Sequence, residues 1–127
     1  MKTTHIEIDK LRKLRYDFNS MGDIEFLTKK TTVQLLMPLY NSSFYAIRAF
    51  LWAGLKWEDP VLQNPITGIN KAGELAEVWI EKSGGNVGDL AIIIIGALES
   101  AGWIVPLKND AESEGEDKGE VPEASTN

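Results

Sequence analysis

The chain predicts a mainly α domain of the α+β class: an N-terminal β-hairpin, a compact bundle of about four to five helices, and a disordered acidic C-terminal tail. Three observations carry this. Apolar residues alternate at period two only near the N-terminus, the signature of strands. From Asp17 to Ala101 they recur at steps of three and four, bracketed by cap and stop residues, the signature of helices. Residues 108–127 hold seven acids and two lysines, with Val121 their one large aliphatic, so nothing there offsets the entropy of ordering a chain. The expected division is a single globular domain over 1–107 and a tail over 108–127.

In the hairpin, expected over about 3–17, Ile6 and Ile8 share one side of the first strand, and Leu14, Tyr16 and Phe18 share one side of the second. Asp9 and Lys10 stand between as the turn, although DKLRKLR also suits a short helix. Lys10, Arg12, Lys13 and Arg15 give the hairpin a basic face, read first as its wet side and second as a dock for an acidic partner. Asp17 then caps a first helix to about Leu27, with Phe18, Met21, Ile24 and Leu27 along one stripe. Residues 32–40 read as a turn or two of helix that Pro38, lacking an N–H, ends or kinks.

The centre of the chain is FYAIRAFLWAGL, residues 44–55. Ten of its twelve residues are apolar or aromatic and Arg48 is its one charge, the composition of a helix wrapped by neighbours. A membrane span needs about 20 such residues, and Lys56 and Glu58 end this run sooner. Asn41, Ser42 and Ser43 are its candidate N-caps. Residues 57–70, with two prolines, a glycine and two asparagines, read as loop. Thr67 or Asn70 caps a further helix ending near Lys82, with Ala72, Leu75, Ala76 and Trp79 on one face and Gly84–Gly85 as its stop. Asn86 caps the last helix, Val87 to Ala101. Its run Ile92 to Ile95 also suits a strand, but 3.6-residue spacing over fifteen residues favours helix, and Gly102 follows as a stop. Trp103, Ile104 and Val105 then fold back apolar surface before Pro106.

Composition excludes much chemistry. With no cysteine there is no disulfide, thiolate metal site or cysteine nucleophile. The one histidine, His5, has none of its usual catalytic partners around it. Ser20, Ser42 and Ser83 lack a base in any recognisable motif. Glu58-Asp59 before Pro60 reads as loop capping, and Gly84-Gly85-Asn86-Val87-Gly88 as one helix stopping and the next starting rather than a phosphate loop, having no lysine. No enzyme, cofactor or metal is expected. The tail takes −5 of the total charge of −6, leaving −1 for residues 1–107, a balance that opposes nucleic-acid binding. MKTTHIEID offers no apolar signal segment, so no export and no membrane association are expected.

Four tryptophans in so short a chain point instead to core and contact surface. Trp52 is read as core. Trp57 and Trp103, in connecting segments, divide evenly between core lid and binding contact. With Trp79, Arg12 and Arg15 they form the candidate partner-binding set.

Three segments together resemble the tail assembly chaperones of long-tailed bacteriophages and prophages: a hairpin ending in LRYDFNSMGDIEFLTKK, SSFYAIRAFLWAGLKWEDP in the centre, and the later helix pair. Arg15, Asp17, Phe18, Asn19, Ile24 and Glu25 stand where that family has its entry motif. Residues 49–55 with Glu58-Asp59-Pro60 match its aliphatic-tryptophan-alanine-glycine-leucine and acidic-proline pattern. The resemblance covers residues 4 to about 103, with the proline-containing loop 60–70 as a departure. It implies a non-enzymatic protein of the host cytoplasm, absent from the mature virion, that keeps the tape measure protein soluble during tail tube assembly. A longer frameshifted product of such a gene recruits the major tail tube protein. The alternative from another class is a structural head-tail connector or completion protein of the particle.

Overall fold

The computed structural model describes residues 1–106, so the expected acidic tail lies outside the described residues. Strands β1 (Thr4–Glu7) and β2 (Leu11–Leu14) form a two-stranded antiparallel sheet in which Thr4 faces Leu14 and Glu7 faces Leu11. Ile6, Ile8, Leu14 and Tyr16 turn inward, as the alternation requires. The second strand stops earlier than its alternation suggests. Arg15 N–H already donates to the Gly54 carbonyl at 2.9 Å, and the Asp17 carboxylate takes the N–H of Ser20, which starts a helix. Phe18 therefore opens that helix and is 77% exposed, rather than extending the apolar side of a strand.

Among the described residues five α-helices follow: α1 (Phe18–Thr28), α2 (Thr32–Tyr40), α3 (Phe44–Leu55), α4 (Pro65–Ser83) and α5 (Val87–Ala101). Thr31 and Gln34 close a reciprocal capping box on α2, and the helix continues two residues past Pro38. The carbonyl that loses a donor to the proline belongs to Gln34, which is exposed and can be hydrated. Ser43 caps α3, which has the bounds expected of it. Asn86 and Asp89 form a second capping box on α5, and Gly102 ends it at φ +90°. Along α5 the buried residues are Leu90, Ala91, Ile94, Ala97 and Leu98, a helical stripe that Ile92–Ile95 do not interrupt.

The start of α4 corrects the sequence reading. Asn64, not Thr67 or Asn70, is the cap: its side chain accepts from the N–H groups of Ile66 and Thr67, and Pro65 takes the first helical position, where a missing N–H costs nothing. The rest of the supposed loop is two 3-10 turns, Lys56–Glu58 and Pro60–Leu62, the second capped by Asp59.

α3 lies at the centre, packed by α1, α2, α4, α5 and β2. Two glycines permit this crowding. A Cβ on Gly54 would sit 2.7 Å from Cζ of Tyr16, whose hydroxyl donates to the Phe50 carbonyl at 2.7 Å. A Cβ on Gly68 would run into the Leu62 carbonyl, which accepts the Trp52 indole N–H at 2.7 Å. Trp52 is thus core, as expected. Trp103 folds back, whereas Val105 stays exposed.

Candidate functional site

Three residues of α3 escape burial, Phe44, Tyr45 and Arg48, and their spacing puts them on one side of the helix. The helix is therefore wrapped everywhere except along its N-terminal half. Beside that open side runs a groove of about 480 Å³ between α3, α4 and α5, floored by Ile47, Ala76, Ile80, Val87 and Leu90. Phe44, 74% exposed, forms one end of it. At Gly73 the bare backbone lets the stem of Arg48 lie close, since a Cβ there would come 3.3 Å from Arg48 Cδ. On the far side of Arg48 lies a smaller hollow of about 160 Å³ bounded by Leu27, Tyr45 and Ile69, with the Tyr45 hydroxyl 3.4 Å from the Thr28 carbonyl. The result is an apolar trough rimmed by one cation, Arg48, and one carboxylate, Glu77. Such a lining is chemically suited to apolar side chains, with Arg48 and Glu77 as its charged groups.

The residues singled out in the sequence occupy a different region. Arg12 is 3% exposed, which overturns its reading as part of a wet basic face. Its Nε and Nη2 donate to the two oxygens of Asp9 at 2.7 and 2.9 Å, and its Nη1 donates to Asp59 Oδ2 at 2.9 Å. That pairing holds the Asp9 carboxyl down at about 2 and lowers Asp59 as well. Asp59 and Glu58, read as loop capping, do more than cap: Glu58 accepts the backbone N–H of Lys13 at 3.1 Å. Trp57 lies half-buried and donates its indole N–H to the Lys13 carbonyl at 2.9 Å, while the Arg15 guanidinium stands 5.1 Å from its ring centre. Trp103, 38% exposed, donates to the Tyr16 carbonyl at 2.6 Å and tilts against Phe18. Trp79 is buried on α4.

Arg12, Trp57 and Trp103 thus each fasten β2 or the segment leaving it, and Arg15 stands against Trp57. Of the candidate set, only Trp57, Trp103 and Arg15 retain surface. Sequence reasoning missed Phe44 and Tyr45. The available signal was the 44, 45, 48 spacing, which puts the two aromatics on the same side as the one charge of an otherwise apolar helix.

No family model, curated protein or solved structure matches this chain. Among the described residues no single helix is long and apolar enough to cross a membrane.

Proposed function

We propose that this chain is a non-enzymatic chaperone of the phage tail assembly kind, binding the tape measure protein during tail tube assembly. The observation that carries the reading is the solvent-open aromatic end of α3, Phe44 and Tyr45, beside a preformed apolar groove. A long helical partner exposes apolar stripes before its own assembly, and a trough with one cation and one carboxylate on its rim covers such a stripe without sequence-specific chemistry. The resemblance of residues 14–30 and 42–60 to the tail assembly chaperones supplies the identity of the partner. Work in the host cytoplasm and absence from the finished particle belong to the same proposal.

Co-expression with the tape measure protein is the test. The soluble fraction of that protein rises several-fold when this chain is present. An unchanged soluble fraction, with both proteins expressed, would count against the proposal.

A further inference from the structure

The two long edges of the hairpin are treated differently. On β2, Lys13 turns its N–H to the Glu58 carboxylate and its C=O to the Trp57 indole, away from β1. Antiparallel pairing alternates, so the residue opposite Lys13, His5, turns its own N–H and C=O away from β2. The same alternation turns out the backbone of Glu7, opposite Leu11. Among the described residues the sheet has two strands and nothing donates to or accepts from the main chain of His5 or Glu7. One edge is capped by side chains from the 3-10 turn, and the other is an unpaired ladder.

We infer that β1 pairs antiparallel with β1 of a second copy of this chain, joining two hairpins into one four-stranded sheet about a two-fold axis. Strand addition of this kind draws its affinity from main-chain hydrogen bonds. A two-fold axis requires residue i to meet j while j meets i. Only registers that bring outward-turned residues together form the ladder. Centred on Glu7, that pairing sets two carboxylates face to face; centred on His5, it sets two imidazoles. Centred on Ile6, it sets His5 against the Glu7 of the second copy twice over, an imidazole N–H to a carboxylate on each side. Both side chains are exposed, and Ile6 and Ile8 stay turned into their own cores. Self-complementarity of hydrogen bonding at this one register, donor against acceptor on both sides of the axis, is what selects a second copy over an arbitrary extended peptide. Four-residue strands bury little area, so the dimer is a concentration-dependent equilibrium rather than an obligate one. The edge lies on the hairpin, so dimerisation requires nothing of the α3 groove.

The test is light scattering behind size exclusion on the full chain over a wide concentration range. The mass rises from 14.1 kDa toward twice that as concentration increases. His5→Pro removes an outward N–H and no ladder bond, so it leaves circular dichroism and melting near wild type and holds the mass at that of the monomer. Because the chain has no cysteine, mixing His5→Cys with Glu7→Cys reads the register: under oxidation the mixed pair cross-links faster than either variant with itself. Three results would overturn the inference: a wild-type chain monomeric at every concentration, a folded His5→Pro that dimerises as well as wild type, or a monomer that dimerises only once residues 108–127 are deleted. The last would mean that this chain's own C-terminal segment covers the edge.

Discussion

The hairpin junction and the open side of α3 are both rich in aromatic residues and both carry arginine, Arg12 and Arg15 at the first and Arg48 at the second, yet they are built in opposite ways. At the junction every polar group of Arg12 is engaged by a carboxylate, and the indoles of Trp57 and Trp103 spend their N–H groups on hairpin carbonyls. Beside α3, Phe44 stands in solvent, and Arg48 lies across bare glycine backbone at the rim of an apolar groove. Buried polar groups that are fully paired fix one arrangement of neighbouring elements. Apolar surface left open stays available to a partner. Aromatic content alone therefore does not mark a binding surface; what matters is whether each ring is already committed.

Breaking the junction has the largest expected effect. Arg12→Ala strands Asp9 and Asp59 without their cation and costs about 3 kcal/mol, the low end for a broken buried pair because Asp9 is partly open to water. Thermal melting checks this, since each kcal/mol shifts the midpoint of a domain this size by about 4–8 °C. Acid probes the same contact. Asp9 is lower in the folded chain than its ordinary 3.8, so its contribution is complete above that value and is lost as pH falls toward about 2. Asp59 is lowered too and adds in the same direction. Wild type therefore loses stability on acidification through this window, and Arg12→Ala loses less over the same interval. Urea midpoints at pH 5 and pH 2.5 measure the difference.

Gly54→Ala comes next, at about 2 kcal/mol, because the new methyl meets the Tyr16 ring and Leu14 where the hairpin lies on α3. Trp57→Phe keeps most of the ring and loses one hydrogen bond to Lys13, about 1 kcal/mol in denaturant titrations. The smallest stability change belongs to Phe44→Glu. With its ring in solvent, this substitution stays within about 0.5 kcal/mol of wild type.

Where local chemistry decided, the sequence was readable. Ser43 and the Asn86, Asp89 and Gly102 set each act within a few residues, and α3 and α5 have the bounds those residues imply. Asn64-Pro65 was equally local, but proline among other loop residues hides its preference for the first turn of a helix. The inward turn of Arg12 was half legible. It shares the parity of Leu14 and Tyr16, but the carboxylate of Asp59 that makes burial affordable comes from 47 residues away. The α3 groove was less visible still, because its floor is assembled from three helices and no single segment carries its pattern.

The contrast between a committed junction and an open groove is tested most directly by one comparison of variants: the soluble fraction of co-expressed tape measure protein with wild type, Phe44→Glu and Trp57→Phe. Placing a carboxylate at the mouth of the groove abolishes the gain in solubility while the chain remains folded by circular dichroism, and Trp57→Phe keeps the gain despite its lower stability. The opposite pattern, with Phe44→Glu fully active and Trp57→Phe inactive though folded, would place the partner on the hairpin junction and contradict the assignment of the α3 face.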